Sequence, residues 1–307
     1  MTVQYQRPIS HAAQWARRLT YFSFLLAIAA WVGHRFGPVP SPAFFAIAGA
    51  CVVMSALGVL LALVGFSSLW RYGARGGKSS FAAILLAIPV LAPAANAARL
   101  YETEPRLYEV STDLLDEPEW IETPASDQML LGARPDRSDK TREAQYLTYP
   151  ALIGHRYEGA LDRVVAGARD AAKAVRMVIE IEKLPKEALE ETDIVPVTRD
   201  EGEELVEEER QIPVPEERPS EAETPPLNIM PAIAWEAPEA RLQGHVTGFV
   251  SGLQYDFVIR LREEEETTVA DIRVQARYGN ADFGGSARQV AIFLKALDAE
   301  LLGVAGD

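Results

Sequence analysis

Few residues in this sequence have the type and company that covalent chemistry requires. Beyond residue 100 there are two histidines, His155 and His245. Neither sits in a His-x-x-x-His or Glu-x-x-His spacing, so no zinc site is read from them. Ser111, Ser126 and Ser251 lack the glycine-flanked turn that exposes a nucleophilic serine. Cys51 is the single cysteine, which excludes an internal disulfide framework and a cysteine-rich metal site. No phosphate-binding loop or dinucleotide glycine fingerprint occurs. With 44 Asp and Glu, a close carboxylate pair somewhere in the fold carries no specificity. No cofactor and no metal are expected. What remains of an enzymatic reading is an envelope hydrolase or transferase using His245 with Asp256 or Asp271.

The arginines are better placed. Arg260 and Arg262 are two residues apart, and Arg273 and Arg277 four. Side chains of a strand alternate between faces, so each pair shares one. That face would also hold Gln243, His245, Thr247, Asp256, Asp271 and Gln275. It reads as a solvent face laced with cross-strand ion pairs, each contributing about 0.2–1 kcal/mol. Alternatively it is a recognition surface, because guanidinium forks grip carboxylates and phosphates bidentately. An anionic lipid headgroup, a glycan or the chain's own acidic insertion could dock there. Asp282, ahead of Phe283-Gly284-Gly285-Ser286 and near Arg288, opens the last helix. Asp is a good N-cap, although bare amides at a helix start also attract anions.

These side chains need a scaffold. Arg241–Phe249, Gln254–Arg262 and Thr267–Arg277 alternate with short connections and predict an antiparallel meander. Tyr255, Phe257, Ile259 and Leu261 share one face; Ala270, Ile272, Val274 and Ala276 share another. Upstream, Ala151–Tyr157 reads as a short strand and Met177–Ile181 as another. Between them Leu161, Val164, Val165, Ala168, Ala172 and Val175 recur at three and four, an amphipathic helix. Val290, Phe293, Leu294, Leu297 and Leu301 line a closing helix that Gly303 ends. The predicted domain is α+β, with two helices packed on the apolar face of one sheet.

The first hundred residues are of another kind. They carry eight Lys and Arg and no acid, whereas residues 101–307 hold all 44 acids and 22 Lys and Arg. A net charge of −14 thus averages two regions in different solvents. Leu19–Gly33, Pro42–Phe66 and Phe81–Ala98 are apolar runs, and a bilayer core needs about 20 such residues. Three transmembrane helices are predicted, with the bilayer as partner. Arg7, Arg17, Arg18, Arg71, Arg75 and Lys78 lie on one side, Arg35 and Arg99 on the other. The basic side is cytoplasmic by the positive-inside rule. Residues 100–307 then lie outside, in the periplasm of a Gram-negative cell whose inner membrane holds the anchor. Trp15, Trp31 and Trp70 fall near helix ends. Cys51, Ser55, Gly58, Ala62 and Gly65 form a small-residue seam on the second helix. Small residues let helices approach closely in lipid, against their own neighbours or against another subunit.

The chain therefore divides into an anchor (1–100), an extended lead-in (101–150) and a first part of the α+β domain (151–186). An acidic insertion (187–226) and the second part of the domain (227–307) follow. Residues 187–223 hold 15 acids, three Arg and four Pro. Such a segment buries too little apolar surface to offset its ordering entropy and is predicted disordered. The acidic domain also disfavours nucleic acid as a partner.

Several phrases resemble a known family. Val110–Asp113 (VSTD) with Asp116, Pro118 and Trp120 resembles its opening phrase, and Tyr149–Ala151 (YPA) the next. Asp256–Arg262 and Asp271–Leu294 resemble its closing block, with Asp271, Arg273, Arg277, Gly279, Asp282, Gly284, Ala287 and Arg288 in register. The family's serines are replaced here by Val274, Ala276 and Ala281, and its Asn by Ser286. The sequence is similar to members of domain-of-unknown-function family 1499, uncharacterised membrane-anchored proteins of bacteria and plastids. The resemblance implies anchoring and fold and names no activity. The reading is a membrane protein whose periplasmic domain binds an envelope protein or an anionic lipid or glycan. The alternatives are the hydrolase above and a membrane-complex assembly factor acting through its helices.

Overall fold

A computed structural model of the protein describes residues 8–129, 131–135, 137–185 and 238–303. The acidic insertion predicted over 187–226 lies outside the described residues. Three long helices come first: α1 (His11–Phe36), α2 (Ser41–Tyr72) and α3 (Gly77–Thr103). All three are long and apolar enough to cross a bilayer. At 1.5 Å per residue they reach about 39, 48 and 40 Å. Ser10 caps α1, its hydroxyl accepting from the Ala13 N–H. Gly73 ends α2 in the left-handed region, at φ 61°. Pro89 and Pro93 lie within the continuous run of α3.

Packing in this bundle runs along the small residues. Cys51, Ser55, Gly58, Ala62 and Gly65 are the buried line of α2, together with Pro42. A Cβ on Gly58 would overlap Thr20 of α1, and one on Gly65 would overlap Ser80 of α3. Ser23 of α1 donates to the Cys51 carbonyl at 2.8 Å and meets the Ser55 hydroxyl at 2.8 Å. The seam is filled by helices of the same chain. Pro8 and Ser10 exchange backbone bonds with Arg75, which ties the N-terminal segment to the α2–α3 loop. Arg71, Arg75 and Lys78 therefore lie at the same end of the bundle as the start of α1, and the α1–α2 loop and the end of α3 at the other.

The rest is an α+β domain on a six-stranded antiparallel sheet. Its elements are β1 (Glu109–Ser111), α4 (Asp139–Thr148), β2 (His155–Glu158), α5 (Leu161–Ala174) and β3 (Met177–Lys183), then β4 (Glu239–Thr247), β5 (Gln254–Glu264), β6 (Thr267–Ala276) and α6 (Gly285–Leu302). The order is β1-β6-β5-β4-β3, with β2 also on β6. The central meander keeps a regular register, Leu242 opposite Ile259 and Ile259 opposite Ile272. On the outer edge of β6, β1 takes the residues around Val274 and β2 those around Val269. Thr112 fills the gap between them: its N–H donates to the Ile272 carbonyl, and its hydroxyl accepts from the Ile272 N–H at 3.0 Å.

Alternation decides the core. Leu242, Val246, Phe257, Ile259, Leu261, Ile272 and Val274 are fully or nearly fully buried in one cluster with Val164 and Ala168 of α5 and Val290, Phe293 and Leu297 of α6. Gly167 lets α5 close on α6, since a Cβ there would overlap Leu301. The lead-in over 101–150 is more ordered than the extended segment its weak periodicity predicts. It contains β1 and the ten-residue α4, and it crosses the opposite face of the sheet: the Ile121 and Glu122 N–H groups donate to Gln243 Oε1, and Arg273 donates to the Pro118 carbonyl.

Candidate functional site between the helix ends and the domain

The residues predicted to form an arginine face do share one side of the sheet, but it is not an open surface. Arg260 is 3% exposed and bonds three carboxylates: Asp271 at 3.0 Å, Asp113 at 3.0 Å and Asp116 at 2.7 Å. Arg262 reaches the same Asp116 at 3.2 Å. Arg273 pairs with Glu109 and Glu117 and lies over the Trp120 ring, 5.4 Å from its centroid. Arg277 clamps Asp256 at 2.6 Å. Burying a guanidinium is tolerable only with carboxylates around it, and the lead-in delivers them. The expectation of a solvent-facing arginine surface is corrected accordingly, since four of these carboxylates come from residues 109–117.

The same geometry gives the groups of the hydrolase reading other partners, although His245 and Asp256 stand opposite each other on β4 and β5. His245 Nδ1 lies 2.9 Å from Glu180 of β3, at a bulge in the β3–β4 ladder. Asp256 is held by Arg277, and Asp271 by Arg260 and by the Thr112 hydroxyl at 3.0 Å. The structure brings no serine or cysteine to His245 among the described residues. The N-cap of α6 is Gly284 and not the expected Asp282. Asp282 lies two residues ahead and satisfies the helix start from there, accepting from the Ser286 N–H at 2.6 Å and the Gly284 N–H at 3.1 Å. Burial pushes its pKa up, against the opposing effect of these N–H bonds. The same bonds leave its oxygens occupied.

A different site emerges where the bundle meets the domain. The Trp31 indole donates to the Val250 carbonyl at 2.9 Å, and Arg35 Nε to the Phe249 carbonyl at 3.0 Å. The β4–β5 turn thus rests on the end of α1, with Phe249 and Val250 71% and 72% exposed beside it. Phe45, near the start of α2, stacks on Tyr278 after β6, with ring centroids 5.1 Å apart. Tyr101, near the end of α3, meets Phe283 edge-on at 6.4 Å. Phe283 has φ 52°, uncommon for a bulky residue and a sign that its surroundings fix it.

Phe283 lines both of two clefts. The first, about 500 Å³, is lined by Phe45 and Tyr101 from the membrane helices and by Leu253, Tyr255, Tyr278 and Phe283 from the domain. The second, about 490 Å³, lies beside the last turns of α3, with Leu100 and Glu104 on one side and Tyr149, Ala287 and Arg288 on the other. Tyr149 donates to Glu104 Oε2 at 3.1 Å. Burial and that carboxylate push the phenol up to about 12. Gly284 has no room for a side chain, because a Cβ would sit 2.8 Å from the Tyr149 hydroxyl. Sequence reasoning noticed tryptophans at helix ends and passed over Phe45, Tyr101, Tyr278 and Phe283. Aromatics at the domain-facing ends of all three long helices were the available signal.

The sheet, the two core helices and the apolar bundle define the class: an α+β domain that follows three helices long and apolar enough to cross a membrane. Residues 198–297 match the family described as "Protein of unknown function (DUF1499)". No curated protein and no solved structure matches the chain. The VSTD and YPA phrases precede the matched stretch, yet both join it in space. Thr112 and Asp113 meet the Asp271–Arg260 pair, and Tyr149 meets Gly284.

Proposed function

We propose that this protein is a membrane-anchored binding protein that holds an amphiphilic envelope component between its helix ends and its α+β domain. The carrying observation is the first cleft, whose lining comes from α2, α3 and the domain together. Its walls carry five aromatic rings among mostly apolar residues, and it lies at the ends of helices that are apolar along their length. A molecule leaving the bilayer would move from one apolar surface to another without crossing water, which keeps the hydrophobic cost of transfer low. The charge of the loops supports placing this end outside, in the periplasm of a Gram-negative cell.

Full-length protein purified in mild detergent should retain a lipid-like molecule, seen by native mass spectrometry and identified after extraction. Tyr278→Asp places a charge in the aromatic wall and should abolish retention while the domain stays folded by circular dichroism. Equal retention by the wild type and this variant, or none by either, would defeat the proposal.

A further inference from the structure

Each cleft is lined by one acid and one arginine. In the first, Asp282 is taken up by the Gly284 and Ser286 N–H groups and Arg106 lies over the Tyr101 ring, whereas in the second the pair is less engaged. Glu104 sits at the C-cap of α3, and Arg288 stands on the first turn of α6. Both line the cleft, yet they form no ion pair with each other. Arg288 is exposed and has no side-chain hydrogen bond or salt bridge among the described residues. Among the described residues, Glu104 accepts only from the Tyr149 hydroxyl. Leu100, Leu152, Ala287 and Ala291 supply an apolar lining. Opposite charges that line one cavity without pairing suit a ligand that itself carries both signs.

We propose that this cleft binds a zwitterionic amine–phosphate headgroup, as presented by an aminophospholipid of the bilayer in which α3 ends. The Arg288 guanidinium takes the phosphate, for which its fork geometry is suited. The Glu104 carboxylate takes the ammonium, whose N–H groups bond it directly. Tyr149, protonated up to about pH 12, keeps the carboxylate oriented. A purely anionic headgroup would meet Glu104 as a like charge, and a site of zero net charge gives it no advantage. This inference rests on the reading of the protein as a binder of membrane amphiphiles and adds the class of headgroup.

The test uses the full-length protein in detergent and short-chain phospholipids of equal acyl length with ethanolamine, glycerol or choline headgroups, each titrated by native mass spectrometry. The ethanolamine lipid should bind best. Choline should bind about tenfold more weakly, because its methylated nitrogen cannot donate to Glu104. Glu104→Gln keeps an acceptor for Tyr149 and should erase the preference for ethanolamine over choline. Arg288→Gln should weaken all three about tenfold. Both substitutions lie at solvent-accessible positions and should leave the unfolding midpoint unchanged. If the three lipids bind alike and neither variant matters, while Tyr278→Asp still abolishes binding, the headgroup assignment is wrong and the amphiphile reading stands. If no lipid binds the wild type, both are wrong.

Discussion

Arg260 is the side chain whose loss the domain should feel most. It is buried on the sheet with Asp271, itself 3% exposed, and is shared with Asp113 and Asp116. Removing one member of a buried pair leaves its partner as an uncompensated charge, at about 3–5 kcal/mol. Arg260→Met should therefore lower unfolding stability by that order in denaturant titrations of the full-length protein. Adding Asp271→Asn to it should recover part of the loss, and a double mutant no better than the single would argue against the pairing. Tyr149 gives a pH signature. Its folded pKa is raised above the ordinary value of 10. Its contribution to stability is therefore complete below pH 10 and is lost as pH rises towards 12. The wild type minus Tyr149→Phe difference in phenolate absorbance should show one late-titrating tyrosine. At this scale the sequence revealed which arginines share a face, because strand parity is strict. It hid their burial, because the carboxylates that make burial tolerable come from a segment without periodicity.

Strands and helices that carry an apolar period were legible, and those that do not were missed. The meander, α5 and α6 fall within a few residues of their predicted bounds, since each buries an alternating or three-four pattern. β1 is three residues long, too short for any period, and α4 buries only Gln145. That glutamine holds β1 through both the N–H and the carbonyl of Ser111, a contact invisible to hydropathy. Thr112 acts at the same junction, so Thr112→Val should strand the buried Ile272 N–H and cost about 1–3 kcal/mol by thermal or chemical unfolding. In the anchor, a Cβ at Gly65 collides with neighbours on both other helices. Gly65→Leu should destabilise the bundle by about 1–3 kcal/mol through overpacking. Unchanged stability with a changed oligomeric state would point instead to a seam that serves a second subunit.

On the scale of the molecule, the charge split separates two ends of one object. The basic residues 71–78 and the N-terminal segment lie at the end of the bundle tied together by Pro8, Ser10 and Arg75. The acidic domain meets the opposite end through Trp31, Arg35, Phe45 and Tyr101. Much of this seating is aromatic stacking and two side-chain bonds to backbone carbonyls, and exposed Phe249 and Val250 lie where a headgroup layer would begin. Such rings settle at the membrane–water boundary, so the bilayer itself should hold the domain down. A full-length variant with Phe45→Cys and Tyr278→Cys, treated in membranes with a short bis-maleimide, should form a bridged peptide by mass spectrometry. Cys51 is fully buried in the α2 seam and should stay unlabelled. Dissolving the membrane in detergent should lower the yield of the bridge, because part of the restraint is then lost. Single labels without a bridge in intact membranes would mean that the domain stands away from the helix ends, and neither cleft would then be walled by the anchor.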